Sequence, residues 1–148
     1  MPFLRILVVD DYEPFRRFVC SGLKQKPSLQ VIGEASDGLQ AVRNAEELQP
    51  DLILLDVGLP TLNGIEAVRR IRKLSPESKI VFVSQESSVD VVQEAFSLGA
   101  LGYVVKLDAG SELLAAVDAV RRGQRFVSAR LAQVAELSDL QTSPALTQ

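Results

Sequence analysis

Five residues able to do chemistry each stand at the end of a short apolar run: Asp10 and Asp11 after ILVV, Asp56 after LILL, Ser84 after IVFV and Lys106 after GYVV. Carboxylates that converge repel one another, and each resists ionisation unless a cation stands nearby. A hard divalent ion answers that need. Mg2+ takes a few carboxylates, keeps several waters and leaves room for a phosphate oxygen. The charges of Asp10, Asp11 and Asp56 are balanced by one Mg2+ and the Lys106 ammonium, so the set is poised for a phosphoryl group. Each residue taken singly has a plainer reading. An aspartate after a strand is commonly a turn former or cap, Ser84 a turn residue and Lys106 a solvated charge; their joint occurrence at successive run ends is what favours chemistry.

That chemistry requires the run ends to meet in space. The chain alternates five apolar runs with amphipathic stretches, the pattern of a parallel sheet covered by helices. Strands are predicted over Leu4 to Val9, Gln30 to Ala35, Leu52 to Leu55, Lys79 to Val83 and Gly102 to Val105. Three of them are apolar throughout, as strands buried on both faces are. Between them, Phe15, Phe18 and Val19, then Leu39, Val42 and Ala45, then Ile65, Val68 and Ile71 recur at helical spacing. Val92, Ala95 and Phe96 mark a fourth helix and Leu113, Val117 and Val120 a fifth, with Asp37, Asn63 and Ser111 as expected caps. The expected fold is α/β, a doubly wound five-stranded parallel sheet of the flavodoxin-like kind in order 2-1-3-4-5. Ligands of such sheets gather at the carboxyl ends of the strands, near the reversal of strand order.

Residues 1–123 are expected to form this domain. Beyond Gly123 the rhythm stops; Ser128 to Leu140 reads as an extra C-terminal helix with Leu131, Val134 and Leu137 on one side, and QTSPALTQ as a linker. The formal net charge of -3 provides no basic field for nucleic acid. The run Arg69, Arg70, Arg72 and Lys73 reads as a solvated helix face. A chain without histidine cannot hold a Ser-His-Asp triad or His-ligated zinc, and its one cysteine, Cys20, reads as a buried apolar side chain. No apolar run approaches the roughly 18 residues of a membrane span, and the amino terminus turns charged too early for a signal peptide. A soluble, cytoplasmic protein without membrane contact is expected.

From Arg5 to Arg122 the chain resembles the receiver domains of two-component response regulators. The resemblance is carried by Asp10-Asp11 after the first strand, LILLDVGLPTLNGIEA around Asp56, IVFVS ending in Ser84, and GYVVK ending in Lys106. It implies that Asp56 takes a phosphoryl group from a phosphohistidine of a sensor histidine kinase. It also implies that Asp10, Asp11, Asp56 and the Gly58 carbonyl hold Mg2+, with Lys106 pairing with phosphoryl oxygens. Ser84 and Tyr103 would form the switch, the hydroxyl moving to the phosphoryl group while the ring turns inward and repacks the surface of the fourth helix and fifth strand; simple packing is the other reading of Tyr103.

Many receivers carry proline after the lysine, whereas here Leu107, Asp108 and Ala109 follow, a form similar to the NarL/LuxR-type subgroup. That resemblance implies a homodimer and a C-terminal helix-turn-helix domain that binds DNA, with residues 124–148 leading toward it and no DNA contact by the present chain. Two rivals remain. One is a degenerate receiver acting only as a protein-interaction module. The other is a Mg2+-dependent phosphohydrolase, which usually has a second acid two residues past the nucleophile, where Gly58 stands. Neither GxxxxGK[ST] nor GxGxxG occurs, which disfavours nucleotide binding.

Overall fold

Strands rich in Ile, Val and Leu pair in parallel because each is followed by a helix that carries the chain back across the sheet. The computed structural model describes residues 3–132. The elements are β1 (Leu4–Val9), α1 (Glu13–Leu23), β2 (Leu29–Ala35), α2 (Gly38–Leu48), β3 (Leu52–Leu55), α3 (Gly64–Leu74), β4 (Lys79–Ser84), α4 (Val89–Ser97), β5 (Gly102–Val105), α5 (Ala109–Arg121) and β6 (Phe126–Val127). The sheet order is β2-β1-β3-β4-β5-β6, every pairing parallel.

Alternation along the strands divides the apolar side chains between two cores. Leu7, Val9, Ile53, Leu55, Ile80 and Phe82 pack with α2, α3 and α4 on one face. Ile6, Val8, Leu52, Leu54, Val81 and Val83 pack with α1 and α5 on the other. The sheet is thus covered on both faces, as its uniformly apolar central strands require.

Asp37 and Asn63 cap α2 and α3, accepting from the backbone N–H of Gln40 and Glu66. Ser111 does not cap α5. A 3-10 turn at Lys106–Asp108 starts that helix early, and the Ser111 hydroxyl donates instead to the Asp108 carbonyl. The larger difference follows α5. Phe126 and Val127 add a sixth strand beside β5, and a 3-10 turn at Ala129–Leu131 buries Leu131 in the core. The expected helix over Ser128 to Leu140 begins as this turn, and its part beyond Ala132 lies outside the described residues. A two-residue strand is too short to form the apolar run that marks the others in the sequence.

Candidate functional site

Register brings the acidic residues together. Val9 pairs with Leu55 at the ends of β1 and β3, so Asp10 and Asp56 leave the sheet side by side. This is where strand order reverses, with β2 on one side of β1 and β3 on the other. Ser84 pairs with Val105, so Lys106 leaves the sheet one residue later from β5. Only a long side chain crosses the end of β4 from there, and the Lys106 Nζ lies 2.8 Å from Asp10 Oδ2 and 2.9 Å from Asp56 Oδ2. Carboxylate oxygens of Asp10, Asp11 and Asp56 lie within 4.8 Å of one another.

The turn after β3 is built to present Asp56. Its Oδ1 accepts from the Gly58 N–H at 3.2 Å, and the Gly64 N–H donates to the Val57 carbonyl at 2.7 Å, folding the start of α3 against the site. A Cβ on Gly64 would stand 2.0 Å from the Asp56 carbonyl oxygen, so no other residue permits this approach. Gly58 has open space where its side chain would be, so only its backbone is engaged.

Asp10 and Asp56 are buried, at 3% and 5% exposure, whereas Asp11 is exposed. Burial holds the Asp10 carboxyl above the ordinary range, against the opposing Lys106 and Tyr12 N–H hydrogen bonds. Burial pulls the Lys106 ammonium down, but its bonds to Asp10 and Asp56 prevail and raise it. Lys106 is therefore charged and already aimed at the acids. Its Nζ also lies 4.8 Å from the centre of the Phe15 ring, a cation–π contact. An open cleft of about 570 Å³ is lined by Asp11, Asp56, Gly58, Ser84, Glu86 and Lys106 among others, large enough for a hydrated ion and a phosphoryl group.

Three oxygen-donor carboxylates with no His or Cys suit a hard cation, and the buried pair has one ammonium for two acids, so the donor set fits Mg2+. Ser84 lines the cleft, its Oγ accepting from the Glu86 N–H at 3.2 Å. Tyr103 is fully buried, 6.0 Å from Phe82 between ring centres, and its hydroxyl donates to the Glu86 carbonyl at 2.8 Å. The ring expected to turn inward is thus already inside, and Glu86 joins it to Ser84 through its own backbone. Glu86 acts here through its backbone, a role that leaves no mark in residue type. Phe15 is legible only as a core residue of α1; its contact with Lys106 requires the fold.

Burial, partly offset by hydrogen bonding to Ser84, pushes the Tyr103 phenol up to about 12 from 10.0. The folded state therefore keeps that proton more tightly than the unfolded chain. The stability involved is whole below pH 10 and is lost as pH rises toward about 12. With Tyr12→Phe removing the exposed phenol, absorbance at the tyrosinate band is expected to rise only in that upper range. Half-ionisation at the ordinary phenol pH would contradict the burial.

The chain matches the family model described as the response regulator receiver domain over residues 6–118. It is 35% identical over 129 residues to the transcriptional regulatory protein LiaR of Bacillus subtilis, covering 87% of this chain and 61% of that protein. It is 36% identical over 129 residues to the nitrate/nitrite response regulator protein NarL of Escherichia coli, covering 87% and 60%. The chain thus spans less than two thirds of the length of these curated relatives. A solved structure of a two-component response regulator of the LuxR family from Aurantimonas superposes with a TM-score of 0.85 at 34% identity, covering 90% of this chain and 96% of that one.

Proposed function

Since the chain belongs to the response regulator receiver family and is of the NarL/LuxR type, we propose that it is a phosphorylation-controlled switch with Asp56 as phosphoacceptor. The observation that carries this reading is the Lys106 ammonium spanning Asp10 and Asp56 at 2.8 and 2.9 Å beside Asp11. A degenerate interaction module has no need of a buried charge cluster that costs desolvation.

In the proposed reaction an Asp56 oxygen attacks the phosphorus of a phosphohistidine on a sensor histidine kinase. A P–O bond forms, the P–N bond breaks, and the leaving imidazole takes up a proton from solvent. Lys106 stabilises the negative charge on the transferring oxygens, and the Gly58 N–H holds the other Asp56 oxygen so that the carboxylate does not rotate. Asp10, Asp11, Asp56 and the Gly58 carbonyl would hold Mg2+, which supplies further charge neutralisation at the phosphoryl oxygens. Ser84 is placed to donate to a phosphoryl oxygen once it leaves the Glu86 N–H. Such a move frees the Glu86 backbone to shift, and with it the Tyr103 hydroxyl, so the pair forms a bistable element biased by local charge.

The reaction is single transfer and slow self-hydrolysis rather than turnover of a metabolite. Output in transcription is supported by the name of LiaR, a transcriptional regulatory protein; a DNA-binding region outside this chain and a homodimer are further parts of the proposal. A cytoplasmic location is part of the same reading; among the described residues no helix is long and apolar enough to cross a membrane. Incubation with acetyl phosphate and Mg2+ is expected to add one phosphoryl mass to the intact protein, and chelation of the ion to prevent it. Absence of the adduct would favour the interaction module, and repeated turnover of phosphate esters the phosphohydrolase.

A further inference from the structure

The segment after α5 holds the chain on both sides of Lys106, by backbone atoms before it and by the Asp108 carboxylate after it. Ser128 is fully buried, and its N–H donates to the Tyr103 carbonyl at 3.0 Å. Its Oγ accepts from the Val105 N–H at 2.8 Å and donates to Glu112 Oε1 at 2.6 Å. The other Glu112 oxygen accepts from the Ala129 N–H at 3.0 Å. Two residues on, Arg130 grips Asp108 with both arms of its guanidinium, Nε to Oδ2 at 2.6 Å and Nη2 to Oδ1 at 2.9 Å. Val105 precedes Lys106 and Asp108 lies two residues after it.

We propose that Ser128 and Arg130 are positioning residues for Lys106: they clasp the strand before the lysine and the turn after it, fixing where its ammonium meets the phosphoryl site. The proposal rests on the reading of Asp56 as phosphoacceptor. Neither residue touches reacting atoms. Lys106 has to cross the end of β4 to reach Asp10 and Asp56, so a small shift of its backbone moves the ammonium off both. A stabilising charge that is displaced slows transfer while leaving the entry of the donor unaffected. The bidentate geometry at Asp108 is specific to a guanidinium facing a carboxylate, which makes it testable by exchange of the two charges.

The test follows adduct formation on the full chain with phosphoramidate and saturating Mg2+, across donor concentrations, with a thermal melt of each variant. Arg130→Glu is expected to lower the maximal rate roughly 10-fold with the donor KM within about twofold, and Ser128→Ala to lower it at least as far. Combining Arg130→Glu with Asp108→Arg is expected to restore most of the rate, as is Ser128→Thr. Arg130 is exposed, so its variants keep the test intact even where Ser128→Ala fails to fold. Wild-type rates in all variants, or a loss that tracks the melting temperature and is not restored by the exchange, would overturn the clasp. An unlabelled wild-type chain would overturn the phosphoacceptor reading itself.

Discussion

Asp56→Asn is expected to abolish the phosphoryl adduct and to leave the fold standing. A carboxylate is the nucleophile of the proposed transfer, and an amide of the same shape is not. The substitution keeps an oxygen for the Gly58 N–H, which donates to Asp56 Oδ1 at 3.2 Å, so the turn after β3 retains its main tie. It forfeits at most one of the two carboxylate bonds to the Lys106 ammonium. Against that loss, one of three clustered negative charges is gone, and the repulsion that Asp56 exerts on the buried Asp10 disappears. Without divalent cation the melting temperature should therefore match or exceed that of the wild type. With Mg2+ the ranking should narrow or reverse. An ion at ten times its Kd stabilises the wild type by about 1.4 kcal/mol, and a site short of one carboxylate gains less. Intact-mass measurement and melts with and without Mg2+ check both halves. An adduct formed at the wild-type rate would place the acceptor elsewhere, and collapse of the fold would make Asp56 structural.

The strands of this domain are legible because both faces of the sheet are covered. ILVV, LILL and IVFV have to be apolar at every position, which sets them apart from the amphipathic helices between them. The same property makes the site legible in outline, since the residue after each central run must emerge at the carboxyl edge of the sheet. Asp10, Asp56, Ser84 and Lys106 can be assembled on that rule alone, and their register, Val9 with Leu55 and Ser84 with Val105, follows it. What stays hidden is anything carried by backbone atoms or by chain outside the repeating pattern. Glu86 joins Ser84 to Tyr103 through its amide and carbonyl, for which any residue type would serve. Ser128 and Arg130 lie past the last βα unit, where a serine reads as a helix start and an arginine as a solvated charge. Their partners, Val105 and Asp108, are more than twenty residues distant in the chain. The Tyr103 ring shows the remaining limit: its position on a buried strand predicts packing, while the direction of its hydroxyl depends on the loop after β4.

Lys106→Met is expected to damage both stability and transfer, in ways that Mg2+ and pH separate. The substitution keeps a flexible apolar stem and removes the ammonium that lies over the Phe15 ring and is shared by Asp10 and Asp56, which are 3% and 5% exposed. Removing one partner of a buried ion pair leaves charge uncompensated at a cost of about 3 kcal/mol. For a domain of this size that lowers the melting temperature by roughly 10 °C. The Asp10 carboxyl already stands above its ordinary value because burial outweighs the Lys106 hydrogen bond, and loss of that bond moves it further up. A carboxyl raised in the folded state contributes stability that is present below its unfolded value of 3.8 and is lost as pH rises through the folded value. In chelator the deficit of the variant is therefore greatest near neutral pH and shrinks on acidification, as Asp10 takes up a proton. Mg2+ should shrink it too, since the ion answers the same charges. The ion does not replace the missing donor at the phosphoryl oxygens, however. With saturating Mg2+ the rate of adduct formation should still fall on the order of 10²- to 10³-fold, the usual loss when one preorganised charge-stabilising group is removed. A lysine that merely decorated the surface would produce neither effect. A deficit that grows on acidification, or a wild-type rate in the refolded, Mg2+-loaded variant, would exclude the role given to it.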